Sequence, residues 1–306
     1  MIVVAKVPPS PPSAMPQTLP SSSSFRFRLA AIDIDDTLVG PDKRVSDENR
    51  DAIHALRAAG CRVVLASGRE HSSMRLFAEH LGLDEYLVSS QGALVEHPRH
   101  GDVLWHRPVD PAMAVHLVQV GQARGAEVLL YTRDGIFTAP DSPWVRRDRQ
   151  AVDATIVFQP GDLLELAARG PLKVLWYGEA ATVALWAPEM VGTHGTRAEI
   201  VITAPELLEF NAPDATKGTA VAALARHYEV DQRDVVAFGD GLNDVAMLRW
   251  AGFGVAVGHA MPEARAAADI VVDEGDPSTS LARGIRVLLA DPARHAKRPD
   301  AERVGP

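Results

Sequence analysis

A strand–helix rhythm that runs, breaks off and resumes is what most narrows the folds open to this 306-residue chain. From Phe25, short apolar runs alternate with stretches of helical period. Residues 29–34 read as a strand. Ser46 then stands as an N-cap, with Ala52, Ile53, Leu56 and Ala59 on one helical face and Gly60 as the stop. A second strand falls at 62–66, a second helix at 70–81 ahead of Gly82, and a third strand at 86–89. After Gly92, paired strands replace the alternation. Segments 93–96 and 103–107 flank His100-Gly101-Asp102 as a hairpin, a helix covers 112–123, and 127–132 faces 136–138 across Arg133-Asp134-Gly135. Further strands fall at 172–177, 199–203 and 206–210. At Lys217 the first rhythm returns, with helices at 218–228, 244–250, 262–267 and 278–289 around strands at 235–238, 253–257 and 270–272.

Alternating elements imply a parallel sheet covered on both faces, and paired strands imply an antiparallel one. The expected architecture is therefore α/β: a doubly wound, Rossmann-like parallel-sheet core over 25–90 and 212–290, interrupted by an inserted α+β domain over 91–211.

Bulk properties exclude several function classes. A net charge of −9 argues against sequence-independent nucleic-acid binding, which needs a basic face, while leaving room for a small anionic substrate. The single Cys61 rules out an internal disulfide and a multi-cysteine zinc site, and reads as strand packing. No apolar run reaches the length of a membrane span, and the apolar start is too short for a signal peptide. Residues 1–24, with six prolines and six serines, cannot build a core and read as a disordered extension, with Met15 as an alternative start. The tail over 291–306 reads as loose. A cytoplasmic location with neither nucleic-acid nor membrane partners is the default expectation, and the oligomeric state stays open.

Chemistry concentrates at the strand ends of the split core, where open α/β sheets place their ligands. The first strand ends in Asp33-Ile34-Asp35-Asp36-Thr37-Leu38, three carboxylates within four positions. Like charges this close call for a cation or a task, although Asp-rich turns are common. The second runs into Ala66-Ser67-Gly68-Arg69, a hydroxyl beside a glycine. Thr216-Lys217-Gly218 sets a cation at a helix start, where an anion is favoured. Phe238-Gly239-Asp240-Gly241-Leu242-Asn243-Asp244 ends a strand in two carboxylates four apart. Each alone could be a turn or a cap. Together, acids at 33, 35, 240 and 244 offer hard oxygen ligands for Mg²⁺, while Ser67, Lys217 and glycine-freed amides offer donors to a phosphoryl group. That combination suits phosphoryl transfer.

These four segments, in this order and spacing, resemble the four motifs of the haloacid dehalogenase superfamily. The α+β insert between Ser67 and Lys217, and the later Gly254-Val255-Ala256-Val257-Gly258, resemble its Cof-type sugar-phosphatase branch, in which the insert is a cap that selects substrate. The resemblance implies that Asp33 attacks a phosphate monoester to form an aspartyl-phosphate, and that Asp35 serves as acid and then base. It implies that Ser67, Gly68 and Lys217 bind the phosphoryl group, with Thr37 and Asn243 ordering or assisting that shell. Mg²⁺ would sit on Asp33, the Asp35 carbonyl and Asp240, with Asp244 supporting.

The chain departs from that pattern in places. Asp36 stands where glycine is frequent and reads as a turn residue without a ligand role. Gln91-Gly92-Ala93 replaces the usual Asn-Gly-Ala, and Gly258-His259-Ala260 the usual Gly-Asn-Ala. Within the insert, Arg146, Arg147 and Arg149 could hold a second anion but read better as a solvated face. Trp105, Tyr131 and Trp144 read better as packing than as a stacking platform. The resulting expectation is a Mg²⁺-dependent phosphatase of a small phosphorylated metabolite, a sugar phosphate foremost. A phosphomutase of the same fold is the alternative. A non-catalytic regulatory protein is disfavoured by the intact Asp33, Asp35, Lys217 and Asp240.

Overall fold

The computed structural model describes residues 25–142 and 158–290. Strands β1 (Leu29–Ile32) and β2 (Arg62–Leu65) are joined by the helix Asp47–Ala58. Strands β3 (Leu87–Ser89), β4 (Leu94–Glu96) and β5 (Val103–His106) form a three-stranded antiparallel sheet. Then β6 (Glu127–Thr132), β7 (Gly135–Thr138), β8 (Phe158–Pro160), β9 (Lys173–Tyr177), β10 (Glu199–Ala204) and β11 (Leu207–Asn211) make a six-stranded sheet in the order β10-β11-β9-β6-β7-β8. All its pairs are antiparallel except β7–β8. Finally β12 (Val235–Gly239), β13 (Phe253–Ala256) and β14 (Ile270–Val271) complete a five-stranded sheet ordered β14-β13-β12-β1-β2, parallel throughout. The fold is the expected α/β core with a separate antiparallel sheet.

The period of β1 explains the double winding. Its four residues are fully buried and alternate between two cores. Ala30 and Ile32 pack with Ile53, Leu56, Leu281 and Ile285, whereas Leu29 and Ala31 pack with Val221 and Leu224. Helices therefore cover both faces. Because β2 and β12 lie on opposite sides of β1, the chain reverses direction across the sheet at the carboxyl end of β1, the place where such sheets bind ligands.

Local signals set the boundaries. Ser46 accepts a hydrogen bond from the Asn49 amide as the expected N-cap. Glu70 caps its helix from outside, so that helix runs His71–His80. Thr216 and Thr219 form a reciprocal capping box that places Lys217 in the first turn of the helix Lys217–His227. β1 stops at Ile32, two residues before the sequence suggests, because the Thr37, Leu38 and Val39 amides fold back onto the Ile34 carbonyl.

The hairpin β4–β5, read from sequence as part of the insert, pairs with β3 and sends Val95, Leu104 and Trp105 into the core cluster that holds Val88 and Leu224. β3 in turn extends β2, through an Ala66–Val88 bridge. Helix Ala180–His194 has no counterpart in the sequence reading; Pro188 lies inside it, and Leu185 and Val191 face solvent, so no clean apolar stripe marks it. No helix among the described residues is long and apolar enough to cross a membrane.

Candidate active site

Four loops meet at the carboxyl end of the parallel sheet. Asp33 follows β1 directly, and its amide donates to the Phe238 carbonyl at 3.1 Å. Asp240 follows β12. Asp33, Asp240 and Asp244 bring carboxylate oxygens within 4.8 Å of one another. Lys217 Nζ lies between two of them, 2.6 Å from Asp33 Oδ1 and 2.7 Å from Asp244 Oδ1. The other Asp244 oxygen accepts the Asp240 and Gly241 amides, both at 3.0 Å, so this fully buried carboxylate folds the loop around itself.

Three carboxylates face one ammonium, an excess of two negative charges in a buried space. Burial, and then Asp244, raise the Asp33 pKa well above the carboxylate range, although Lys217 opposes them. Burial and Asp244 likewise push Asp240 up to about 6. Lys217 stands above an ordinary lysine, since Asp244 and Asp33 more than offset the cost of its burial. The set fits a divalent cation: hard oxygen donors, gathered closely, short of two positive charges.

The three acids after β1 meet three different fates. Asp33 joins Lys217. Asp35 turns to Arg69, which holds it through Nε at 2.8 Å and Nη2 at 2.7 Å, with Lys43 Nζ at 3.2 Å. Burial would raise its pKa, but Arg69 and Lys43 bring it below the usual value. Asp36 adopts φ +60°, as the turn reading expects, and its carbonyl lies 2.6 Å from His259 Nε2. The histidine that replaces the usual asparagine thus ties down this turn.

The remaining sequence candidates also fall here. Thr37 is fully buried and donates Oγ1 to Asp240 Oδ1 at 2.9 Å. Ser67 is buried; its Oγ accepts the Arg69 amide at 3.2 Å. Gly68 lies against Gln91, whose Nε2 would stand 2.4 Å from an added Cβ. Asn243 donates to Gln91 Oε1 at 3.0 Å. Above the loops opens a cavity of about 810 Å³ lined by Asp33, Asp35, Ser67, Lys173, Glu209 and Asp240, among others. The six-stranded sheet roofs it. Tyr131 borders the cavity and also packs with Leu129, Ile136 and Leu175, while Trp105 packs on the core and donates to the Gly92 carbonyl at 3.0 Å. Arg146, Arg147, Arg149 and Trp144 lie outside the described residues.

Sequence reasoning gave no role to Arg69, Lys43, Lys173 or Glu209. Arg69 follows Ser67-Gly68 directly and could have been noticed there. The others carry no local signal, since only the tertiary fold brings them to the cavity.

An acidic site at the switch point of a parallel sheet, under a second sheet built between β2 and β12, defines a class of capped α/β proteins. Sequence comparison places the chain within it: the family model for haloacid dehalogenase-like hydrolases matches residues 30–285. The chain belongs to that family. It is 29% identical over 236 residues to the HMP-PP phosphatase of Cronobacter sakazakii, covering 77% of this chain and 86% of that one. It is 30% identical over 240 residues to the HMP-PP phosphatase of an Escherichia coli strain, covering 78% and 87%. Among solved structures, a haloacid dehalogenase-like hydrolase from Bacteroides thetaiotaomicron superposes with a TM-score of 0.75 at 22% identity, covering 86% of this chain and 99% of that one. A HAD subclass IIB sugar phosphatase superposes with a TM-score of 0.70 at 20% identity, covering 85% and 98%. These structures share the fold.

Proposed function

We propose that the protein is a Mg²⁺-dependent phosphatase of a small phosphorylated metabolite, working through an aspartyl-phosphate on Asp33. The observation that carries this reading is the placement of Asp33, buried, at the end of β1, 2.6 Å from Lys217 and within a three-carboxylate cluster. Asp33 and Asp240, with the Asp35 carbonyl, would hold the metal, and Asp244 would support them through Lys217 and the 240–241 amides. Bound there, Mg²⁺ supplies the two positive charges the cluster lacks and screens the nucleophile from the phosphate.

A carboxylate oxygen of Asp33 attacks phosphorus as the ester P–O bond breaks, and Asp35, once it has taken up a proton and let go of Arg69, gives that proton to the departing oxygen. Asp35 then takes a proton from the water that attacks the aspartyl-phosphate, which restores Asp33 and releases phosphate. Lys217 spends two N–H donors on Asp33 and Asp244, leaving a third for a phosphoryl oxygen. Ser67 and the Gly68 backbone cradle the same group. Thr37 and Asn243 act one step back, on Asp240 and Gln91. The six-stranded sheet is the cap that meets the leaving group.

HMP-PP, the substrate in the names of the relatives, and sugar phosphates are the first compounds to assay. Phosphate release with Mg²⁺ is expected from at least one of them, and Asp33→Asn should lower it by ~10³-fold or more, the scale on which loss of a nucleophile registers. Full turnover by folded Asp33→Asn would refute the covalent route.

A further inference from the structure

The cap sheet holds a buried ion pair that the proposed chemistry does not use. Lys173 on β9 and Glu209 on β11 are 1% and 4% exposed, with Lys173 Nζ 2.9 Å from Glu209 Oε1. Such a pair is a poor stabiliser, since apolar residues of similar volume often do as well or better in its place. Its other contacts suggest a task. Lys173 Nζ also donates to the Gly68 carbonyl at 3.2 Å and lies 4.0 Å from the centre of the Tyr131 ring. Glu209 Oε1 accepts Thr203 Oγ1 at 3.0 Å, and Oε2 accepts Gln91 Nε2 at 3.0 Å. Gln91 Oε1 then accepts Asn243 Nδ2 at 3.0 Å. A continuous polar chain runs from the cap sheet to both loops that flank the phosphoryl site.

Gln91 is built into this path by its backbone. Ser90 and Gln91 take φ +50° and +61°, and Gly92 follows at +98°, three left-handed residues in succession. Non-glycine residues in that region are strained, and they persist where the surroundings fix them. Here the Ser90 and Gln91 amides donate to the Arg69 and Ser67 carbonyls at 2.9 and 3.1 Å, zipping this loop to the phosphate-binding loop. An asparagine at this position would be one methylene shorter, about 1.5 Å, too short to join Asn243 to Glu209.

We propose that the Lys173–Glu209 pair is a positioning element of the active site, acting on Gly68 directly and on Asn243 through Gln91. Seating of the cap and alignment of the phosphoryl-binding loops are then one event. This rests on the reading of the site as a phosphoryl-transfer centre.

Gln91→Asn isolates the effect, because asparagine keeps an amide and tolerates the left-handed backbone better than glutamine. Glu209→Gln, with similar volume, is the second variant. Both are compared with the wild-type full chain using p-nitrophenyl phosphate with Mg²⁺, and by hydrogen–deuterium exchange. For Gln91→Asn, kcat should fall ~10–100-fold, as for other groups that orient a site from behind, with KM changed far less. Exchange should rise in 66–70 and 239–244 while helices Asp47–Ala58 and Ser280–Ala290 keep their protection. Unchanged kcat with unchanged loop exchange would overturn the proposal. A raised KM with kcat kept would overturn it too, assigning Gln91 to leaving-group binding. Should the wild type hydrolyse no phosphate ester, the functional reading fails, and loop exchange alone decides the relay.

Discussion

Arg69 grips Asp35 with both arms of its guanidinium, Nε on Oδ2 at 2.8 Å and Nη2 on Oδ1 at 2.7 Å, while lying 5.0 Å from the centre of the Phe77 ring. A planar fork packed on an aromatic face has little freedom, so the carboxylate it holds is fixed in direction as well as charge. Burial alone would raise Asp35, and Arg69 with Lys43 reverses that. In Arg69→Gln the ionisation of Asp35 should move to higher pH, and kcat should fall by ~10-fold or more because an acid no longer held in direction loses part of its acid–base assistance. Paired pH–rate profiles check this. Arg69→Lys should recover only part of the loss, because an ammonium cannot fork. A profile that stays in place would remove Arg69 from control of Asp35.

Asp240→Asn should make the metal-free protein more stable and inactive at once. The folded-state pKa of Asp240, raised to about 6, exceeds the unfolded value of 3.8, so its ionised form costs stability at neutral pH and nothing below about pH 4. Removing the charge should gain ~1–3 kcal/mol at pH 7.5, since each tenfold change in an ionisation constant is worth about 1.4 kcal/mol. The gain should vanish towards pH 4. Urea melts without and with added Mg²⁺ test it, and a destabilised variant at pH 7.5 would contradict the charge excess.

Gly92→Ala should disable the protein from a position that holds no functional side chain. At φ +98°, a Cβ there would stand 2.2 Å from the Thr216 carbonyl oxygen, a backbone atom that cannot swing away. Relief would require moving Thr216 and with it the helix start that carries Lys217. A loss of ~2–4 kcal/mol is expected, the scale of overpacking combined with backbone strain. Thermal melts and residual turnover report it together, and a wild-type Tm would show the contact to be yielding.

His71 should make stability fall in mild acid. Burial depresses its pKa below 6.5, although Glu96 and Glu70 oppose the shift, and neither ring nitrogen has a hydrogen-bond partner among the described residues. The folded state therefore resists a proton that the unfolded chain accepts. Its contribution is complete above the unfolded value of 6.5 and is lost as pH falls from there through the folded value. Replacing it, as in His71→Leu, should flatten the decline in urea midpoint between pH 7.5 and 5.5. An unchanged slope would show that other groups cause it.

Much of this molecule is legible in its sequence because the signals are local. The start of β1, the Ser46 and Thr216 caps and the four strand-end loops are each written within a few residues. Asp36 is set apart from Asp33 and Asp35 through the family resemblance, in which glycine is frequent at its position. What escaped depends on distance or on masked periodicity. Arg69 meets Asp35 across 34 positions, and Gln91 meets Glu209 across 118, with the direction of Gln91 fixed by two left-handed residues that propensity does not foresee. Lys173 and Glu209 look like ordinary strand residues until the sheet turns them toward the site. Helix Ala180–His194 hides behind its proline and its exposed apolar residues. The hairpin β4–β5 pairs as expected, but only tertiary packing shows which sheet it joins.

The central seat of β1 also dictates an order of birth. β1 is bonded on one edge by β2 and on the other by β12, so a nascent chain cannot pair both edges of β1 before residue 239 has left the ribosome. The six-stranded sheet is synthesised earlier, and the connections between its paired strands are all shorter than the one between β1 and β12; short loops close faster than long ones. Pulse-labelled refolding should protect β6, β9 and β11 ahead of β1 and β12; the reverse order would refute the sequence of events. Asp33 then meets Asp240 only when Lys217, synthesised between them, is already at hand. A chain cut short before β12 has every strand of its roof and no site for that roof to cover.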